Sequence, residues 1–522
     1  MEGFKKLGES IYEAFEGYTF ISREAFNNYI LEKNFENIIG EFNYIRIDKS
    51  KNKVEILVDK LGRRSLYIFQ KDKYIAISSD YWQLIEELKK NNIKFSMNYE
   101  YLIESIVYGT NFFNNTHVKE IKRVEYATYT RIDLLNHGIE KIKYWDFNLN
   151  SSINNIDEAS DLLEEGINKT IESIDKSKVY GIGVSGGLDS RLLLYYAKKN
   201  DIRIFPFIIS QKKPNKILYA RDIIPAKRLC KLYNEELNIF DPFEYDFYDR
   251  LKYEIKHNPV APANTDTVII NNLNVDAILT GANGYIVGGG VFSRKLLSVN
   301  REEYLNAFLT SFLPRSFNTL RRIFRVIIKS YRVKEMELIQ KEVEGISYDL
   351  YLKVIRKIQE VVNNSKNCVE AQLKLYHVAF GQHNYYGVFE SLSGRYPAYS
   401  IYTTYVADVI NNFSPEHIIE RKALKNLIMR IPEISKVGGQ SPHSSLKLNV
   451  FEIMDYLIRG YGVRNREYDF RKYKHLYDEF SIIDIKKTKT ILRSSRLFHD
   501  YVKHNIIFSY IKNGEWGDFV LN

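Results

Sequence analysis

One string of residues constrains this chain more than any other: GVSGGLDS, at 183–190, between an apolar run and a helical pattern. The run KVYGIG (178–183) predicts a buried strand, and the apolar spacing of 188–200 predicts a helix. The two adjacent glycines let the backbone turn tightly beside an anion, and the following helix directs free N–H groups at that anion. The lysine of a Walker loop is missing, so this is a different kind of phosphate-binding turn. The complete string between strand and helix favours phosphate binding over a plain tight turn.

Strand and helix patterns alternate beyond this string. Helices are predicted at 157–174 and 215–235, and further strands at three places: DIRIFPFIIS (201–210), ELNIF (236–240) and VDAILTGANG (275–284). Strands that alternate with helices are typical of a parallel, doubly wound sheet. From about residue 300 the pattern is mostly helical. The sequence therefore predicts a doubly wound α/β nucleotide domain over 149–450, followed by a basic helical tail over 451–522.

Residues 1–148 have a different pattern, with short β-rich runs separated by turn signals. The runs between residues 41 and 79 predict an antiparallel meander. Helices are predicted at 81–90 and 99–106. The polar stretch SSINNIDEAS (151–160) marks the predicted end of this antiparallel β domain.

The overall composition excludes several classes of protein. With 45% hydrophobic and 27% charged residues, the chain is neither disordered nor fibrous, and 522 residues predict more than one domain. Two cysteines exclude a disulfide scaffold and a four-thiolate zinc site. Because no signal-peptide core and no run of eighteen apolar residues is found, we expect a cytoplasmic protein without a membrane span. The net charge of +10 leaves a tRNA-modifying enzyme open as an alternative to a solvated basic surface.

Several stretches together resemble one known family. Ser185–Ser190 match, residue for residue, the pyrophosphate-binding loop of the ATP-pyrophosphatase group. VDKLGRRSLYIF (58–69) is similar to the D-R-x-G-x-x-P-L-Y-Y element of the asparagine synthetase family, and LTGANGYIVGGG (279–290) falls where that family has a second, acidic glycine loop. The chain thus resembles the asparagine synthetase family, whose relatives include the β-lactam synthetases and the lasso-peptide cyclases.

This resemblance implies an activity and a set of site residues. The family uses ATP and Mg²⁺ to adenylate a carboxylate, which an amine then displaces to form an amide or a lactam. Asp189 is the implied catalytic and magnesium-binding carboxylate, and Lys436 and Lys447 are the candidates for a late catalytic lysine. The implied nucleotide-binding residues are Ser185, Gly186, Gly187, Leu188, Asp189, Ser190, Ile209, Ser210, Gly281, Asn283 and Gly284.

The first departure from the family concerns glutamine. An active glutaminase domain of this family uses a cysteine at position two, whereas this chain has Glu2 and no cysteine before Cys230. Without a thiolate there is no covalent glutamine chemistry. We therefore expect a remnant, Ntn-hydrolase-like N-terminal domain and an amine that arrives with the substrate.

The second departure concerns the acidic loop, where Tyr285 and Ile286 replace the family's acidic pair. A phenol is a poor magnesium ligand. The alternatives are an active ligase, altered chemistry, or a degenerate synthetase that acts as a binding or scaffold subunit. For a ligase the expected partners are small-molecule or peptide carboxylates and amines, with a peptide or a glycan as further candidate acceptors, and nucleic acid is not expected. The identity of the acid and the amine and the oligomeric state stay open.

Overall fold

A computed structural model describes most of the chain. The described residues are 5–7, 9–108, 111–210, 222–241, 244–260, 267–289, 292, 294–309, 346–378, 398–437 and 495–514. The structure is a mixed α/β fold with antiparallel sheets, one parallel five-stranded sheet and helices. The domain boundaries at residues 148 and 450 stay predictions.

The N-terminal part contains two antiparallel sheets. The larger has the order β1-β2-β3-β4-β8-β9, with strands Lys5–Lys6, Ile11–Thr19, Gly40–Asp48, Lys53–Val58, Thr128–Asp133 and Ile139–Lys143. The smaller has the order β6-β5-β7, with strands Tyr74–Ser78, Tyr67–Lys71 and Ile121–Arg123. The predicted single meander over 41–79 is therefore wrong, because its first two strands and its last two strands lie in different sheets.

The turn that separates the two sheets explains this correction. Between β4 and β5 the buried carboxylate of Asp59 accepts hydrogen bonds from the backbone N–H groups of Phe42, Leu61 and Gly62. Gly62 has a φ of 55°, in the left-handed region that glycine tolerates best. This packed turn leads the chain into the second sheet, where a tight hairpin would have continued the first.

The parallel sheet has the order β12-β11-β10-β13-β14. Its strands are β10 Val179–Gly183, β11 Arg203–Ile209, β12 Asn238–Phe240, β13 Ala277–Thr280 and β14 Ala398–Ser400. The predicted strands at 178–183, 201–210, 236–240 and 275–284 are confirmed. The strand order reverses between β10 and β13, and ligands of open parallel sheets bind at the carboxyl ends of the strands at such a switch point.

Helices surround these sheets. In chain order they are α1 Arg23–Glu32, α2 Tyr81–Lys90, α3 Tyr99–Tyr108, α4 Ile156–Glu172, α5 Leu188–Lys199, α6 Ile224–Leu232, α7 Phe247–His257, α8 Thr267–Asn271, α9 Arg301–Leu309, α10 Ile346–Asn363, α11 Cys368–Tyr376, α12 Thr404–Asn411, α13 Pro415–Ile418, α14 Lys422–Met429, α15 Pro432–Ser435 and α16 Ser495–Asn513. The helices predicted at 81–90, 99–106 and 157–174 are confirmed as α2, α3 and α4. Of the helix predicted over 215–235, residues 222–235 are described, and within them the helix α6 covers Ile224–Leu232. In the part of the chain that the structure describes, no helix combines the length and apolarity that a membrane crossing requires.

The last helix, α16, packs against α3 and α7. Lys503 of this helix is fully buried, and its Nζ lies 3.6 Å from Glu254 Oε2 of α7. His504 is also buried, and its Nδ1 lies 3.0 Å from Nε2 of His117. These basic side chains of the predicted tail are therefore part of the core and take no part in a basic surface that could bind nucleic acid.

This buried histidine pair predicts a dependence of stability on pH. Burial lowers the pKa of both His117 and His504 well below the usual 6.5, and the Lys503 ammonium adds to the shift. Near and below pH 6.5, the unfolded chain therefore binds protons at these two histidines. The folded chain does not bind those protons. We expect the free energy of unfolding to be fully present above pH 6.5 and to fall by up to about 1.4 kcal/mol per pH unit for each histidine below it.

Urea unfolding between pH 5 and pH 8 measures this effect. His117→Gln combined with His504→Gln should flatten the profile, since an amide does not titrate in this range. Asn136→Gln, on the turn between β8 and β9, is the control and should keep the slope of the unaltered protein, since neither side chain titrates. An unchanged slope in the double variant would contradict the assignment.

Candidate nucleotide-binding site

The loop that follows β10 is held by its own serines. Ser190 Oγ accepts a hydrogen bond from the Ser185 backbone N–H at 3.1 Å and lies 3.0 Å from Ser185 Oγ. Ser185 Oγ in turn accepts from the Gly187 N–H at 3.2 Å. Gly187 occupies the N-cap of α5, so the first turn of that helix begins directly behind the loop. The predicted strand–loop–helix arrangement is confirmed, and its helix N-terminus suits an anion.

The loop that follows β13 lies beside the first one. Gly281 is close enough to Asp189 that an added Cβ would lie 2.7 Å from the Asp189 Cβ. An added Cβ on Gly284 would lie 3.0 Å from Asp189 Oδ1 and would overlap the guanidinium of Arg421. Two of the predicted nucleotide-binding glycines therefore lie around the predicted carboxylate, at the switch point of the sheet.

Asp189 is held by two side chains from a distant part of the chain. Arg421 Nη1 lies 2.8 Å from Asp189 Oδ2, and Arg421 Nη2 donates to the Gly284 carbonyl oxygen at 2.9 Å. The Tyr402 hydroxyl donates to Asp189 Oδ1. Burial and the neighbouring Asp189 raise the pKa of Tyr402 well above its usual range, so this hydroxyl keeps its proton. Asp189 is 27% exposed and Arg421 is 16% exposed, so a ligand can reach both.

Arg421 reaches this position through an unusual backbone. It ends a 3-10 turn, Ile419–Arg421, directly before α14. Glu420 and Arg421 have φ values of 54° and 59°, in the left-handed region that side chains other than glycine rarely adopt. The Glu420 N–H donates to the Phe292 carbonyl oxygen at 3.0 Å and thereby fixes the turn. Residues kept in such conformations cluster at functional sites.

Four further predicted site residues are described, at the end of β11, in the loop after β13 and at the end of α15. Ile209 and Ser210 are half-buried at the carboxyl end of β11, the strand next to β10. Asn283 is fully buried, and with its amide oxygen turned to Arg63 it accepts from Nε and Nη2 at 2.7 Å each. Lys436 is exposed at the end of α15, a helix that packs on α5, and Lys447 lies outside the described residues.

The residues around Asp189 do not match a magnesium site. Magnesium prefers several oxygen ligands in an octahedral arrangement, whereas both Asp189 oxygens are engaged by Arg421 and Tyr402. Tyr285, at the family's acidic position, is 2% exposed, and its hydroxyl oxygen lies 2.6 Å from His377 Nδ1. Among the described residues, no three His, Cys, Asp or Glu side chains are grouped as metal ligands.

The environment of Tyr285 gives a direct test of this interpretation. Tyr285→Phe removes a buried hydroxyl and leaves His377 Nδ1 without that contact, so we expect the free energy of unfolding to fall by about 1–3 kcal/mol. Because the hydroxyl points into the core, the dissociation constant for ATP should change by no more than about twofold. A tenfold change would correspond to about 1.4 kcal/mol of binding free energy. Urea unfolding and equilibrium dialysis measure the two quantities. A large loss of ATP affinity with unchanged stability would place Tyr285 in the ligand site instead.

Arg63 connects the site to the N-terminal sheets. It is 1% exposed, forms an ion pair with Glu41 of β3 and donates to the Tyr402 carbonyl oxygen. Burial raises the pKa of Glu41, and the Arg63 guanidinium opposes that shift. Arg63 and Glu41 also line a cavity of about 290 Å³, together with Glu16, Arg64, Ser65, Tyr67, Ser79, Asp80, Tyr81, Trp82, Lys256, His257, Pro259 and Ala398.

Arg421 and Tyr402 are the two residues of the site that the sequence did not indicate. Both lie more than two hundred residues after Asp189, and neither belongs to a recognisable motif. The nearest signal is the predicted phosphate-binding loop itself, since a buried or half-buried carboxylate there requires a partner. That requirement does not say which arginine supplies it.

Comparison with known proteins does not assign a family. No protein-family model matches the chain, and no curated protein matches it in sequence. Solved structures that resemble parts of it include an allosteric regulatory enzyme of purine biosynthesis, with 11% identity and a TM-score of 0.19 over 46% of this chain and 61% of that one. The glutamine phosphoribosylpyrophosphate amidotransferase from B. subtilis has 12% identity and a TM-score of 0.18, over 41% of this chain and 51% of that one. The NH3-dependent NAD synthetase from Campylobacter jejuni has 14% identity and a TM-score of 0.19, over 41% of this chain and 98% of that one.

These neighbours are enzymes, but likeness at this level assigns neither a family nor an activity. This chain spans 61% and 51% of the length of the first two.

Proposed function

We propose that the protein is an ATP-dependent, AMP-forming ligase that adenylates a carboxylate and joins it to an amine. The observation that carries this proposal is the pair of loops at the carboxyl ends of β10 and β13, which meet around Asp189 and Arg421. The start of α5 would direct its N–H groups at a phosphate bound to the Ser185–Ser190 loop, which is held in shape by bonds between the Ser185 and Ser190 hydroxyls and the Ser185 and Gly187 N–H groups. Arg421 adds a cation at the same place.

The proposed reaction has two steps. A substrate carboxylate oxygen attacks the α-phosphorus of ATP, and the bond to the β-phosphate breaks and releases pyrophosphate. An amine nitrogen then attacks the acyl carbon of the mixed anhydride, loses a proton, and displaces AMP to give an amide or a lactam. Arg421 and the N–H groups at the start of α5 would stabilise the charge on the departing pyrophosphate. Because the residues around Asp189 do not match a magnesium site, no step is assigned to a metal held by the chain.

The amine would arrive with the substrate. The chain has no cysteine before Cys230, so its N-terminal part has no thiolate for glutamine hydrolysis. We propose that the two antiparallel sheets are a remnant of a glutaminase-like domain that now supports the nucleotide loops, since Arg63 connects β3 to the backbone of Tyr402. A small molecule, a peptide side chain or a glycan acid are the candidate acceptors.

Release of pyrophosphate and AMP tests this function. The protein would be mixed with ATP and panels of carboxylic acids and amines, with and without Mg²⁺, and both products would be quantified. Acid-dependent pyrophosphate release that requires the protein supports the ligase. Absence of both products over a broad panel, together with absence of ATP binding, would overturn it in favour of the scaffold alternative.

A further inference from the structure

We propose that Arg421 is the phosphate-binding cation of this site and takes the place that a metal ion held by the protein would otherwise occupy. The corresponding ligand class is a pyrophosphate group, free or within ATP, and its binding would not need a divalent metal. This inference rests on the proposed function, because it names the group that holds the departing pyrophosphate.

The guanidinium of Arg421 is held in a fixed orientation. Its two terminal nitrogens are fixed separately, Nη1 by Asp189 Oδ2 at 2.8 Å and Nη2 by the Gly284 carbonyl oxygen at 2.9 Å. A planar guanidinium held in this way presents its donors in one orientation, which suits bidentate recognition of phosphate oxygens. Since the side chain is 16% exposed, it is neither sealed in the core nor free to swing in solvent.

The glycine loop after β13 approaches the Arg421 and Asp189 side chains closely. A Cβ on Gly284 would overlap Arg421 Nη2, and a Cβ on Gly289 would lie 2.7 Å from the same nitrogen. A Cβ on Gly281 would lie 2.7 Å from the Cβ of Asp189. Three glycines of one loop thus leave room for the two charged side chains, and the loop is shaped around the ion pair.

The backbone that positions Arg421 has an unfavourable conformation. Two successive residues other than glycine, Glu420 and Arg421, have positive φ values, a backbone conformation that such residues rarely adopt. The Glu420 carboxylate is paired with Arg294 at 3.1 Å, and its N–H is bonded to Phe292. The surrounding structure therefore maintains an unfavourable turn whose effect is to direct Arg421 at Asp189.

Tyr285 stands where the resembled family has an acidic residue. At Tyr285 a second carboxylate would be needed to hold a metal beside Asp189, but this side chain points into the core, towards His377. Within the described residues, Arg421 is the cation in contact with Asp189, and a second guanidinium, that of Arg191, donates to the Gly186 carbonyl oxygen of the first loop at 3.1 Å. Asp189 then serves to orient Arg421, and a bound pyrophosphate would compete with Asp189 for its N–H groups.

Calorimetric titration with inorganic pyrophosphate, in EDTA and again in Mg²⁺, tests the inference on the full-length protein. We expect binding in EDTA within a few-fold of that in Mg²⁺, and Arg421→Gln should weaken binding in EDTA by about 10- to 100-fold. Arg421→Lys keeps the charge without the fork and should give an intermediate loss. Asp189→Asn removes the competing carboxylate and should leave the affinity for pyrophosphate unchanged or raise it.

Matched controls separate this effect from misfolding. Arg430 lies at the end of the same helix, α14, and is paired with Asp157 and Asp161 on the surface, so Arg430→Gln should bind pyrophosphate like the unaltered protein. Gly284→Ala tests the same idea without removing a charge, since its Cβ displaces the guanidinium; it should weaken binding about as much as Arg421→Gln.

The outcomes for the inference and for the proposed function are distinguishable. Binding that requires Mg²⁺, falls in Asp189→Asn and is unaffected in Arg421→Gln would overturn the inference and leave the ligase proposal standing. Absence of binding of pyrophosphate, AMP and ATP under both conditions would overturn both.

Discussion

An Asp189→Asn variant should form AMP at least about 100-fold more slowly than the unaltered protein while keeping its fold. The substitution keeps the shape of the side chain but removes the charge that holds Arg421 Nη1 at 2.8 Å. A guanidinium that is no longer fixed by Asp189, and keeps only its bond to the Gly284 carbonyl oxygen, meets the departing pyrophosphate in more orientations, so stabilisation that depends on preorganised donors is lost. Because the same change removes the carboxylate that competes with pyrophosphate for Arg421, we expect the loss in the rate of adenylate formation and not in the affinity for pyrophosphate.

The two readouts together separate a positioning role from a purely structural one. Pyrophosphate release under saturating ATP gives the rate, and calorimetry gives the affinity for pyrophosphate. Asp175→Asn, before the opposite, amino-terminal end of β10, is the matched control and should keep both values. A rate in Asp189→Asn within a few-fold of that of the unaltered protein would show that Asp189 does not act in the reaction.

Local patterns in the sequence predicted the framework of this site. The apolar run before the glycines and the helical spacing after them give β10, the loop and α5 where they were expected. Each of these elements depends on residues that are neighbours in the chain, so its pattern can be read in one window. The parallel sheet follows, since alternating strand and helix patterns leave few other arrangements.

What the sequence did not predict depends on pairs of residues that are distant in the chain. Arg421 meets Asp189 across 232 residues, and this contact leaves no periodicity in either segment. Strand β14 is three residues, Ala398–Ser400, too short for a recognisable β pattern, and it is defined by its pairing with β13. The assignment of β5 and β6 to a second sheet depends on the packed Asp59 turn, whose local sequence does not indicate that the next strand pairs elsewhere.

The second large effect is expected at the contact between the N-terminal sheets and the nucleotide loops. Arg63→Met should lower the free energy of unfolding by about 3–5 kcal/mol, because it removes the cation that is paired with the buried Glu41 carboxylate. The Tyr402 carbonyl oxygen and the Asn283 amide oxygen lose donors in the same change. Since Tyr402 also holds Asp189, we expect a second consequence, a lower rate of AMP formation at temperatures where the variant is still folded.

A double-mutant cycle distinguishes the lost ion pair from lost packing. Because burial already raises the pKa of Glu41, Glu41→Gln should cost less than Arg63→Met, and the combination of both should recover part of the stability. Arg131→Met is the matched control. The side chains of Arg131 on β8 and Glu140 on β9 form a solvent-exposed pair, and since such pairs contribute about 0–1 kcal/mol, its removal should change urea unfolding little. If Arg63→Met were as mild as this control, the buried ion pair would not be what couples the N-terminal sheets to Tyr402 and the site.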